Sequence, residues 1–128
     1  MGQIEPWGFG DVLVDRERSG EEISEFLRRI LGLRADEVAL IDDLDQVLGL
    51  PASTKVVCQR SLRNGEAYPM MLSLWGTLNL ALPFAKVVAE FCKALDCRCL
   101  IDDGSISPYS WQELDGDGNL RVVTYYGP

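Results

Sequence analysis

An α+β fold, a mainly antiparallel sheet with two main helices packed on one face, is predicted by three observations. Two segments carry apolar residues at helical spacing, the other apolar runs are short and β-rich, and most strands are joined by hairpin signals rather than by regular strand–helix alternation. At 128 residues the chain fits a single domain, 1–128, long enough to bury a real core.

The elements follow in order. Trp7-Gly8-Phe9-Gly10 leads into DVLVD, an apolar run suited to a strand. In SGEEISEFLRRILGL, Ser19 and Glu22 stand as a capping box, Ile23, Phe26, Leu27, Ile30 and Leu31 recur at helical spacing, and Gly32 occupies the usual stop position. ADEVALIDDLDQVLGLP reads as a short strand followed by a helical turn. KVVCQRSL and AYPMMLSLW flank RNGE, and Asn-Gly between β-rich runs signals a hairpin. Pro69 cannot donate to a ladder, so the second strand starts there or lies at a sheet edge. A second helix is expected over roughly Leu82 to Asp96, with Phe84, Val87, Val88, Phe91 and Leu95 on one face and Pro83 in its first turn. CRCLID, YSWQEL and NLRVVTYY complete the chain as three strands, the last two closed by DGDG.

Composition excludes several function classes. Twenty acids against twelve bases give a net charge of −8, which repels nucleic acid and anionic lipid and attracts basic partners. Neither nucleic-acid nor membrane binding is expected. The apolar stretch Leu72 to Phe91 is interrupted by Ser73, Trp75-Gly76, Asn79, Pro83, Lys86 and Glu90, too often for a membrane span. MGQIEPWGFGD has no basic and apolar signal region, so a cytoplasmic location is expected. The chain contains no histidine, which removes Ser-His and Cys-His nucleophile pairs, histidine metal ligands and the usual neutral-pH proton shuttle. With no phosphate-binding glycine loop either, no enzyme and no cofactor are expected.

The stretch CRCLIDDGSISPYSW concentrates candidate side chains. Cys97 and Cys99, two apart, point to one face of a strand, and Cys92 lies about a turn from the end of the preceding helix. With Cys58 they could supply four thiolates, but the spacing lacks the C-x2-C knuckles of zinc sequences. Buried core thiols are the expected reading, with no metal site and no disulfide. Asp102 and Asp103 enter a Gly-Ser-Pro turn. As neighbours in a strand they point to opposite faces, poorly placed to act together on a substrate atom. Tyr109 and Trp111 put amphipathic aromatics beside these acids, a composition favoured at binding hot spots, although packing onto the sheet accounts for them equally. LDGDGN fails as a calcium loop, because Leu120 and Tyr126 stand where Gly and Glu are required. Asp36, Glu37, Asp42, Asp43 and Asp45 form the densest acidic cluster.

The acidic ALIDDLD run and the helix-to-strand passage ALDCRCLIDDGSISPYSW resemble small bacterial immunity proteins that neutralise polymorphic or contact-delivered toxins. The resemblance covers about a fifth of the chain and carries over no site residue. It implies a binder whose carboxylates steer it onto a basic site of a toxin domain while aromatic anchors hold it there. From the residues themselves, the candidate partner contacts are Asp42, Asp43, Asp45, Asp102, Asp103, Tyr109 and Trp111. Two alternatives stay open. One is a structural or regulatory homo-oligomer that pairs through an exposed strand such as Met70 to Trp75. The other is a small-ligand or thiolate-metal domain built on Cys92, Cys97 and Cys99.

Overall fold

A computed structural model describes residues 7–76 and 83–126. Its elements are β1 (Trp7–Val14), α1 (Gly20–Leu31), β2 (Val38–Ile41), β3 (Val56–Leu62), β4 (Met70–Gly76), α2 (Phe84–Leu95), β5 (Cys99–Asp102), β6 (Ser110–Leu114) and β7 (Leu120–Thr124), with short 3₁₀ helices at Ala35–Glu37 and Leu44–Gly49. The strands form one seven-stranded sheet in the order β2-β3-β4-β1-β5-β6-β7. Only β2 and β3 run parallel; every other neighbouring pair is antiparallel. This is the predicted α+β architecture.

Each helix is limited by local chemistry. At the start of α1 the Glu22 N–H donates to Ser19 Oγ (3.2 Å), and the Ser19 N–H donates to Glu22 Oε1 (3.1 Å), satisfying two amides that lack helical partners. Gly32 ends it at φ 67°, a left-handed conformation that costs a residue without Cβ nothing. Helix α2 starts at Phe84, inside the expected range; Leu82 lies outside the described residues. Pro83 serves as its N-cap, and Asp96 stops it at φ 50°. Arg18 caps that end from a distance, its guanidinium donating to the carbonyls of Leu95 (2.7 Å) and Asp96 (3.1 Å), where a cation also meets the negative end of the helix dipole.

Directly paired antiparallel residues share a face, and neighbours in a strand alternate. The pairings therefore put Val12, Val14, Val56, Cys58, Met70, Leu72, Leu74, Cys99, Ile101 and Leu114 on one face. These residues share a continuous buried cluster with Ile23, Phe26 and Leu27 of α1 and Val87, Val88, Phe91 and Cys92 of α2. Phe26 and Phe91 meet edge to face, centroids 5.3 Å apart, so the helices lock to each other as well as to the sheet.

The opposite face carries Leu13 and Leu100, both completely buried but outside that cluster. The β3–β4 connection reaches across this face. The predicted hairpin is present, but its connection spans 63–69 instead of closing as a tight Asn-Gly turn. This strap crosses β1 and β5: Tyr68 Oη donates to Glu113 Oε2 on β6 (3.1 Å), and its ring meets Tyr125 edge to face at 5.2 Å. Because Glu113 is paired with Leu100 and Leu100 with Leu13, the reach passes over both leucines.

One expectation is corrected here. Met70 to Trp75 is not an exposed edge: β4 is hydrogen-bonded to β3 on one side and β1 on the other. Among the described residues the sheet ends at β2 and β7. Pro69 falls immediately before β4, which lets the strand follow without a missing donor inside the ladder.

Candidate functional site

Strand direction separates the acidic candidates into two groups. Strand β2 runs with β3 and β1, so Asp42 leaves the sheet at the end where those strands finish; β5 runs oppositely, so Asp102 leaves at the other end. Three strands lie between β2 and β5, a lateral separation of about 19 Å at ordinary strand spacing. Asp42, Asp43 and Asp45 therefore belong to one patch, and Asp102, Asp103, Tyr109 and Trp111 to another.

The first patch surrounds the Leu44–Gly49 helix, none of whose residues is buried. The Asp45 N–H donates to Asp43 Oδ1 (3.0 Å), and the amides of Asp42 and Asp43 both donate to Gln46 Oε1 (2.8 and 3.0 Å). Leu48 is 93% exposed. Leu44, Val47 and Leu48 fit helical spacing, but none of the residues of this short helix is buried.

The second patch is concave. A cleft of about 420 Å³ is lined by Gly10 and Asp11 of β1, Phe84 of α2, Ile101 and Asp102 of β5, Trp111 of β6 and the β5–β6 loop. Asp102 and Trp111 are opposite each other in the β5–β6 ladder, which brings carboxylate and indole to the same face. Trp111 Nε1 donates to the Tyr125 carbonyl (3.3 Å), so one ring edge is held. Asp102 Oδ1 accepts the Gly104 N–H (3.0 Å), and Asp11 Oδ1 accepts the Ser73 hydroxyl (2.8 Å).

Asp103 and Tyr109 play different parts. The Asp103 carboxylate accepts the Ser110 hydroxyl and the Ser105 N–H; these bonds to its charged form hold its pKa below the ordinary 3.8, Ser110 contributing most. It braces the loop. Tyr109, 47% exposed, packs its ring 5.0 Å from Tyr126 on the loop's outer side, and Ile106 at the tip is fully exposed. The cleft thus has an aromatic and acidic wall and an apolar rim. Asp11 and Phe84 were missed by sequence reasoning because they come from strands and helices remote in the chain. No local pattern joins them to Asp102.

A second cluster lies on the helix side of the sheet, at the C-terminal end of α2. The sulfurs of Cys92, Cys97 and Cys99 all lie within 4.8 Å of one another, and all three residues are buried. Cys97 precedes β5 rather than lying in it, yet the left-handed turn at Asp96 folds it back so that its N–H donates to the Cys92 carbonyl (3.1 Å). Hydrogen bonding with the Cys97 and Cys99 thiols lowers the Cys92 pKa, while the bond to Cys92 raises that of Cys97 and burial raises that of Cys99. The Cys92 thiol donates to the Leu114 carbonyl (3.5 Å), and burial and the Asp15 charge oppose the lowering. Cys58 is buried apart from this group, and burial alone pushes its thiol up to about 12.

Compared with protein-family models, curated proteins and solved structures, the chain matches none.

Proposed function

We propose that this chain is an acidic protein-binding module of the immunity type, a binder rather than an enzyme, which docks its β5–β6 end onto a basic site of a partner such as a toxin domain. The observation that carries the reading is the cleft in which Asp11, Asp102 and Trp111 converge. A Lys or Arg side chain of the partner would enter it, pair with the carboxylates and lie against the indole face, an arrangement that gains from both charge and cation–π attraction.

Charge and rigidity support the same assignment. A net charge of −8 steers a basic partner toward the protein at a salt-dependent rate. The loop is tied internally by Asp103, Ser105 and Ser110, so less ordering entropy is lost on docking. Ile106 and Tyr109 provide exposed apolar contact beside the charged cleft, the combination that hot spots use. No helix among the described residues is long and apolar enough to cross a membrane, in keeping with a partner met in solution.

The test is comparative capture from an extract of the producing cells on three immobilised proteins: wild type, D102K/Y109A and D42K/D43K/D45K. One basic protein retained stoichiometrically by the wild type and the triple variant, released by salt and lost from D102K/Y109A, supports the reading. Equal retention on all three surfaces, or loss only from the triple variant, overturns the assignment to the β5–β6 end.

A further inference from the structure

We propose that Cys92, Cys97 and Cys99 form a binding site for one soft, thiophilic metal ion, with copper(I) the ion that the donor set fits. Nothing in the protein-binding reading requires such a site, and the two stand or fall separately.

Convergence is the first argument. Helix α2 delivers Cys92, the Asp96 turn returns Cys97 and the first residue of β5 supplies Cys99, so the three sulfurs meet within 4.8 Å. An ion about 2.3 Å from each of three sulfurs in a plane keeps them about 4 Å apart. Sub-ångström movement therefore closes the site. Cys58, buried in the same core, has none of these thiols beside it and shows what a purely space-filling cysteine of this protein looks like.

The donors select the ion. The cluster consists of thiols alone, without a carboxylate, and the chain has no histidine. Structural zinc and iron–sulfur clusters call for four protein ligands, whereas thiolate sulfur is the donor preferred by copper(I). Three-coordination by sulfur suits this ion. Relative exposures of 0, 5 and 0% for Cys92, Cys97 and Cys99 give it a dry shell that keeps out competing water ligands. Arg18, held against the Leu95 and Asp96 carbonyls, offsets the negative charge of the thiolates, while Asp15 opposes it. Binding releases to solvent the protons that the raised Cys97 and Cys99 thiols carry, while Cys92, already lowered, binds through its thiolate. Copper stays monovalent throughout, so no electron is transferred.

The experiment titrates the reduced 128-residue chain with copper(I) under anaerobic conditions against the chromophoric chelator bathocuproine disulfonate. Wild type and Cys58→Ser are expected to retain one equivalent. Cys92→Ser, Cys97→Ser and Cys99→Ser should each lose affinity by more than the 10- to 100-fold, roughly, that accompanies loss of an outer-shell partner. Circular dichroism identifies any variant that fails to fold. X-ray absorption on the wild-type copper form decides independently of the variants: three sulfur ligands support the site. Two sulfur ligands, copper surrendered by the wild type as readily as by Cys97→Ser, or equal loss from Cys58→Ser would overturn it.

Discussion

The hydroxyl of Ser110 donates to a carboxylate oxygen of Asp103, closing the β5–β6 loop across seven positions. Ser110→Ala removes the largest influence holding the Asp103 carboxylate in its charged form, so its pKa should rise toward 3.8. An NMR titration of Asp103 measures the change. Partner binding should weaken at the same time although Asp102 and Trp111 are untouched. An unmoved titration would show that the loop is held by other bonds.

Acid should destabilise the protein in a defined window. The pKa values of Glu22, Asp36, Glu37, Asp103 and Asp115 are all depressed by hydrogen bonds, that of Glu37 chiefly by Lys55, whose Nζ lies 2.7 Å away. The unfolded chain therefore binds protons before the folded one does, and stability present above the ordinary values of 4.5 for Glu and 3.8 for Asp is lost as pH falls through the folded values. Thermal midpoints should be flat with respect to these groups above about pH 5 and decline below it. In Glu37→Gln the decline should be shallower, because one of the depressed carboxyls is gone.

The strap over Leu13 and Leu100 should behave as part of the core. Truncating a completely buried leucine costs about 2–5 kcal/mol, and Leu13→Ala should fall in that range in urea denaturation. Tyr68→Phe keeps the ring but removes the bond to Glu113, a loss of about 1 kcal/mol. If the strap were only a tether, Tyr68→Phe would leave the midpoint where it is.

Gly10 and Phe84 meet so closely that a Cβ on residue 10 would overlap the Phe84 ring. Gly10→Ala should therefore cost about 1–3 kcal/mol by overpacking and push the ring across the cleft. Trp111 on the same cleft reports the change through its fluorescence. Pairing Gly10→Ala with Phe84→Leu should recover part of the loss, the pattern expected of residues in direct contact.

Features governed by neighbours in the chain were legible in the sequence. Ser19, Glu22 and Gly32 marked the limits of α1, and Asp115, whose Oδ1 accepts the amides of Asp117 and Asn119, tied the predicted β6–β7 turn. Features requiring strand order were not. Met70 to Trp75 reads equally as an edge or an interior strand, since alternation reports which residues face the core but not what lies beside the backbone. Leu44 and Leu48 carry helical spacing, yet their exposure depends on where β2 ends. The cysteines show the same limit: spacing argued against a knuckle of the zinc type, whereas the left-handed turn at Asp96 brought Cys92, Cys97 and Cys99 together by tertiary geometry.

The earliest of the seven strands in the chain is also their centrepiece: β1 lies between β4 and β5, with Asp11 opposite Ser73 and Leu13 opposite Leu100. During vectorial synthesis, β1 leaves the ribosome long before either neighbour exists. Helix α1 and the β3–β4 hairpin can organise locally in the meantime, but the seam that unites the sheet closes only after β5 has emerged. Until then β1 has a partner on its β4 side alone, and its other edge stays open.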